Sequence, residues 1–332
     1  MQVVVGIDIG GTKCAVSFAK YGEDKPEFLD KVRMATKTED FDGAISDFIS
    51  IIRERLIAHP DWKLCSIGIS CGGPLDARRG LILAPPNLPK WDRADVFTPL
   101  NRAFGVPVML QNDADACALA EWSMGAGKGC RNMIFLTFGT GMGAGLILNN
   151  ELYSGTNSLA GEVGHIRLAE DGPVGYGKGG SFEGFCSGGG IADLGRMRAR
   201  EALAAGNPPL FCRDETELCR ITAKSIAEAM EQGDALAGEI FDTVGEYLGR
   251  GLSVLIDILN PELIVIGSIY ARQKETLDRK MTEYVKKEAL ATSRRSCRIV
   301  PASLGEQIGD YAAVSVGIKA YRDFYQEKGE EE

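Results

Sequence analysis

Two short stretches constrain this chain more than anything else in it. GIDIGGTK at 6–13 and TFGTGMGAG at 137–145 each follow an apolar strand pattern and interrupt it with glycine. Glycine inside a strand forfeits side-chain packing and costs conformational entropy, so the alternation Gly139, Gly141, Gly143, Gly145 needs a physical reason. A ligand approaching the backbone closely is one reason, and tight hairpin packing is another. The surroundings repeat as well: QVVVGIDI, a Gly-Gly-Thr turn, then CAVSFAK, and later RNMIFLTF, a Gly-Thr turn, then AGLILNN. Two lobes that open alike imply a phosphate group gripped from both. The G-x-x-x-x-G-K-[ST] spacing of a Walker loop is absent.

The remaining periodicities alternate strands with helices. Apolar side chains at helical spacing predict helices over 41–58, 95–104, 114–124, 190–204, 223–258 with a break at 232–234, 273–289 and 309–325. Apolar runs predict strands over 2–9, 15–19, 64–70, 106–110, 262–268 and 297–301, several of them ending in glycine. This is α/β packing. The tail KGEEE is too polar to pack.

Composition narrows the function classes. A length of 332 residues with 45% hydrophobic content supports two domains or lobes. The net charge of −9 and the lack of a dense Lys/Arg cluster argue against a nucleic-acid partner. Nine scattered cysteines, with no pair at metal-knuckle spacing, fit reduced thiols in the cytoplasm. The sequence enters the first strand pattern without a basic leader, and no uninterrupted apolar run is long enough to span a bilayer, so neither a signal peptide nor a membrane span is expected.

Several side chains in these turns carry potential chemistry. Asp8, at a strand end, would hold magnesium through water, and Thr12 and Lys13 can donate hydrogen bonds to a phosphate. Thr140 is the matching hydroxyl of the second turn. Asn112-Asp113 closes a strand and opens a helix, where ligands of α/β sheets sit. Asp113 would take the proton of an attacking hydroxyl, or else simply cap the helix.

In order along the chain, DIGGTK (8–13), ISCGGPLD (69–76), PPNLPKW (85–91), NDADACALAE (112–121), TFGTGMGAG (137–145) and AGEVGH (160–165) resemble the ROK family of sugar kinases and repressors. The resemblance implies the two-lobed actin- and hexokinase-like ATPase fold with ribonuclease H-like lobes. The N-terminal lobe would be 1–117, completed by the helix at 309–325, and the C-terminal lobe 118–308. It implies ATP-dependent phosphorylation of a hexose, glucose at the 6-hydroxyl first and N-acetylglucosamine or N-acetylmannosamine next. A non-catalytic sugar sensor is the alternative of another class. By the same resemblance Asp113 is the general base, and Asn87, Asn112, Asp113, Glu162, His165 and Glu183 line the sugar pocket. Gly10, Gly11, Thr12, Lys13, Thr140, Gly141, Gly188, Gly189 and Gly267 surround ATP, and Asp8 organises Mg2+. The partners implied are a hexose and a second copy of the chain, with no nucleic acid or membrane. The repressors' DNA-binding segment has no counterpart before the first strand.

One loop departs from the family. After AGEVGH the family carries C-x-C-G-x-x-G-C-x-E, whose cysteines hold zinc with the histidine. Here the run is VGYGKGGSFE (174–183), which places Val174, Tyr176 and Ser181 at the cysteine positions. His165 has no thiolate partners and Cys186 stands at the wrong spacing, so no structural zinc is expected. Packing of Val174, Tyr176 and Phe182 is expected to hold the loop instead.

Overall fold

A computed structural model describes residues 1–22 and 25–329, so the end of the acidic tail lies outside the described residues. The first elements are β1 (Gln2–Ile9), β2 (Lys13–Lys20), β3 (Glu27–Ala35), α1 (Phe41–Ala58), β4 (Lys63–Cys71), β5 (Leu75–Asp76) and β6 (Leu81–Leu83). Next come β7 (Asp92–Asp95), α2 (Phe97–Phe104), β8 (Val108–Asn112), α3 (Asp113–Met124), β9 (Met133–Leu136), β10 (Ala144–Leu148) and β11 (Glu151–Leu152). A short hairpin of β12 (Val174–Gly175) and β13 (Lys178–Gly179) precedes α4 (Phe182–Phe185), α5 (Gly188–Ala204), α6 (Ala223–Glu231) and α7 (Ala235–Leu259). The last are β14 (Leu263–Ile266), α8 (Ile269–Glu288), α9 (Ala291–Ser296), β15 (Arg298–Pro301) and α10 (Ile308–Gly329). Among the described residues no helix is long and apolar enough to cross a membrane.

The chain forms two compact units. The first comprises Met1–Gly129, Gly145–Ala160 and the segment from Ser303 onward, and the second Cys130–Ala144 and Gly161–Ala302. The expected division at 117/118 falls inside α3, an unbroken alanine-rich helix.

In the first unit the sheet order is β3-β2-β1-β4-β8. Strands β1, β4 and β8 run parallel, while β2 and β3 add antiparallel neighbours. Both faces of β1 are covered, which is why QVVVGIDI reads as a nearly continuous apolar run. One face packs Ile7, Ile9, Phe18 and Ile69 against Phe48 and Ile52 of α1, with Trp91 in the same core. The other receives α10 at backbone distance. A Cβ on Gly68 would stand 2.1 Å from Gly317 N, and one on Gly6 would stand 2.7 Å from Val314 N. Ser66 Oγ donates to Gly317 O at 2.7 Å, satisfying a hydroxyl that this close packing buries.

In the second unit β14 lies between β9 and β15, all parallel. Helix α7 carries Gly245 and Gly249 on the side facing α8, where a Cβ on Gly249 would meet Met281 O at 2.6 Å. The predicted break in 223–258 lies between α6 and α7. There Gly233 has φ +89° and the Asp234 carboxylate accepts from Ala237 N at 2.9 Å, a helix cap. Two departures from the sequence reading stand out. Strand β3 was not anticipated, because an edge strand with charged EFLDKVRMA lacks the apolar signature. Helix α8 starts four residues before the predicted 273, at Ile269, with a non-helical Gln273 inside it.

Candidate active site

The ends of β1, β4 and β8 are in register: Ile9 pairs with Cys71, and Cys71 with Asn112. Asp8, the first glycine turn and Asn112-Asp113 therefore gather along one edge of the first unit's sheet. The turn is a hairpin closed by Gly10 N donating to Lys13 O at 3.1 Å, with Thr36 Oγ1 donating to Gly10 O at 2.7 Å. Neither Gly10 nor Gly11 has a positive φ, so left-handed geometry is not what requires glycine here. Close approach is the reason. A Cβ on Gly10 would lie 2.9 Å from Lys13 O, and one on Gly11 would lie 2.6 Å from the Asn87 Cβ. Thr12 and Lys13 are exposed at the tip.

Asn87 reaches that place because PPNLPKW is pinned on both sides. Leu88 and Trp91 are buried, Trp91 Nε1 donates to Lys37 O at 3.1 Å, and Leu88 N and Trp91 N close successive turns. Asn87 is left exposed against Gly11. One residue expected near a sugar and one expected near a phosphate thus touch.

Helix α3 begins at Asp113, but its cap is Asn112. The Asn112 Oδ1 accepts from Asp115 N at 2.7 Å in the extended backbone conformation of a cap. Asp113 is relieved of that duty, and its accessible carboxylate accepts the adjacent Ala114 N–H at 2.9 Å. The protein packed around it raises its pKa above the ordinary carboxylate value, with two backbone N–H groups pulling the other way. Asp8 is pushed up to about 6, first by burial, then by the charges of Asp310 and Asp113, and Lys31 opposes this. Asp310, in the first turn of α10, accepts from Ser17 Oγ and Lys31 Nζ. These acidic groups offer hard oxygen donors whose mutual repulsion a divalent cation would relieve, so Asp8 fits an indirect Mg2+ ligand.

The second unit carries the other glycine turn, 137–143. Thr137 closes its base: Thr137 N donates to Gly143 O at 3.0 Å, and Gly143 N to Thr137 Oγ1 at 2.8 Å. The loop 164–189 supports it from outside. Gly188 N donates to Gly139 O at 2.7 Å, and Met142 N donates to the Glu183 carboxylate at 2.9 Å. A Cβ on Gly164 would stand 2.3 Å from Met142 O, and one on Gly141 would stand 2.9 Å from Glu183 Oε2. Thr140 is exposed at the tip, and Gly141 beside it is half-buried. Helix α5 starts against this turn. Ser187 caps it through Gly190 N at 3.0 Å, and its first turn holds Gly188 and Gly189 with no acidic residue. Such an end suits an anion. Gly267 follows β14 and donates to Leu136 O at 3.0 Å.

Glu162 precedes a short 3-10 turn and His165 ends it, both exposed, and Glu183 lies on α4. The way the loop is held corrects the sequence reading in part. Phe182 is fully buried, against Gly251 of α7. Val174 and Tyr176 are 54% and 73% exposed, because they belong to a tight two-residue hairpin whose tip, Tyr176-Gly177, has positive φ at both residues. They point out and hold nothing in the core. Ser181 contributes instead: fully buried, it caps α4 through Gly184 N at 3.1 Å. Phe185 stacks on Tyr247, Phe182 N donates to Ile166 O at 2.8 Å, and Arg167 donates to Gly179 O at 2.7 Å. Cys186 is buried, its thiol 3.7 Å from Val244 O.

Two further residues of the surroundings are structurally distinctive. Ser268, just after Gly267, has φ +55° and ψ −110°, a conformation costly for any L-residue, and its hydroxyl faces Gly139. Glu121 is fully buried near the end of α3 and accepts from Ser303 N, Leu304 N and Ala126 N at 2.8–2.9 Å. It anchors the segment leading into α10. The Glu at the end of NDADACALAE was the available signal.

Comparison with known proteins identifies the family. The ROK family model matches residues 4–317. A glucokinase of Halalkalibacterium halodurans is 32% identical over 310 residues, 92% of this chain and 92% of the relative. The xylose repressor of Caldicellulosiruptor bescii is 26% identical over 306 residues, 92% of this chain and 75% of the repressor. Among solved structures, a Streptomyces griseus ROK glucokinase in complex with glucose and AMPPNP superposes with TM-score 0.72 at 27% identity, covering 96% of this chain and 99% of that one. The fold is that of the actin-like ATPases, and the chain belongs to the ROK family.

Proposed function

We propose that this chain is an ATP-dependent hexose kinase, with glucose phosphorylated at its 6-hydroxyl as the leading reaction. The observation that carries the reading is Asp113. It stands at a strand-to-helix junction, accessible, with raised proton affinity, and Asn112 has taken over the capping that would have explained it away. A carboxylate in that setting accepts a proton from a sugar hydroxyl as the hydroxyl attacks phosphorus. By the family resemblance, Asn87, Asn112, Glu162, His165 and Glu183 provide the amide and carboxylate contacts a sugar's hydroxyls need. Gly10–Lys13, Thr140-Gly141, Gly188, Gly189 and Gly267 provide backbone and hydroxyl contacts to the nucleotide. Mg2+, organised through Asp8, neutralises charge on the transferring phosphoryl group. The glucokinase relatives support this reading. A homodimer belongs to it and is checked by the molecular mass in solution.

A second reading has the repressor relatives behind it: a sugar sensor without turnover. ADP release with magnesium-ATP against a panel of hexoses and N-acetylhexosamines separates the two. The kinase reading expects release with one or a few sugars and a loss of about 10^3-fold in kcat for Asp113→Asn. Turnover with N-acetylglucosamine or N-acetylmannosamine in preference to glucose would move the substrate class. Sugar binding without ADP release would replace the kinase by the sensor.

A further inference from the structure

The geometry points to a second role for Glu183: it is a positioning residue that fixes the second glycine turn, so sugar and nucleotide are read by one physical piece of the second unit. The carboxylate Oε2 accepts from Met142 N at 2.9 Å and lies over Gly141, where a Cβ would be 2.9 Å away. A half-buried carboxylate accepting a backbone N–H makes one of the stronger kinds of hydrogen bond. Glu183 itself cannot drift, because α4 is locked. Its neighbours Phe182, Gly184 and Phe185 are buried, Ser181 caps the helix, and a Cβ on Gly184 would stand 2.1 Å from Pro173 O. Gly164, one residue before His165, packs on Met142 O and on the Glu183 Cβ. The residues expected to meet sugar and the turn expected to meet phosphate are thus joined through one side chain. Its second oxygen accepts no hydrogen bond among the described residues and is available to a sugar hydroxyl. His165 differs: its ring is exposed and meets Tyr176 edge-on, and among the described residues it makes no hydrogen bond to the turn.

This rests on the kinase reading, and its test separates the two. In ligand-free protein, amide hydrogen exchange at Met142 should be at least about 10-fold faster in Glu183→Ala than in wild type. Glu183→Gln, which keeps an acceptor oxygen, should restore the slow exchange. That result stands whether or not the protein turns over sugar, and equal exchange in wild type and Glu183→Ala overturns the inference. In the assay, Glu183→Ala should raise KM for both ATP and sugar by about 10-fold or more, whereas His165→Ala raises only the sugar KM. Glu183→Gln should raise the sugar KM while leaving the ATP KM within about 2-fold of wild type. An unchanged ATP KM in Glu183→Ala would also sink it.

Discussion

The two glycine turns look alike in sequence and are held in different ways. The first closes on itself: two antiparallel neighbours in a sheet, one cross-turn hydrogen bond and Thr36 behind it. The second spans seven positions, and beyond the Thr137 bonds at its base it leans on residues roughly 40 to 50 positions further on, Glu183 and Gly188. A turn supported by its own strands is fixed as soon as the sheet forms. A turn propped from elsewhere depends on every link of the prop. The second should therefore be the more easily disturbed, and from a greater distance.

The sharpest test of that difference is Phe182→Ala. It leaves both turns untouched and empties the pocket against Gly251. Unfolding by denaturant should show a loss of about 3–5 kcal/mol, and the ATP KM should rise with it. A loss below about 1 kcal/mol would mean that the prop does not depend on α4. Gly11→Ala is the counterpart in the first turn. The new methyl meets the Asn87 Cβ at 2.6 Å, so about 1–3 kcal/mol of overpacking is expected, with higher KM values for sugar and nucleotide together. If only one KM moved, the contact between Asn87 and the turn would not couple the two ligands.

Asp8 supplies a prediction in pH. Its pKa of about 6 in the fold exceeds the ordinary 3.8, so the folded chain retains a proton through that window after the unfolded chain has released it. Stability therefore falls as pH rises from about 4 to 6 and is level above. Asp8→Asn should match wild type near pH 4 and exceed it by about 1–3 kcal/mol at pH 7, while losing activity. Thermal unfolding across pH reads the first part, and equal stability at pH 7 would contradict it. The smallest effect belongs to Val174→Ala and Tyr176→Gly. Both side chains are exposed, so unfolding should shift by no more than about 0.5 kcal/mol for the first. The second relieves a tyrosine at φ +44° and should be neutral or slightly stabilising.

The sequence was legible where local pattern and burial agree. QVVVGIDI, the helix at 41–58 and ELIVIGS stand where their periodicity put them, because each is covered on the faces the pattern requires. It was least legible where support comes from afar. Nothing in VGYGKGGSFE marks Tyr176 as an exposed tip or Ser181 as a buried cap, since the first depends on a hairpin turning at Tyr176-Gly177 and the second on the start of α4. Counting missing cysteines told which positions had changed and not what had replaced them. The Asn-Asp pair was ambiguous for a similar reason. Either residue can cap a helix, and only backbone geometry assigns the duty to Asn112.

Helix α10 has a consequence for how the chain is made. Ser17 and its partner Asp310 are 293 residues apart, and the same helix seals Gly6 and Gly68 at backbone distance. At bacterial or eukaryotic translation rates the first strands leave the ribosome roughly 15–60 s before that helix does. Throughout that interval one face of their sheet, with Val4 and Ala19, lacks its cover and offers apolar surface to any neighbouring nascent chain. The opening strands of this protein are thus hostage to its ending. A ribosome stall, or a truncation before residue 308, would be felt first at the strands made earliest.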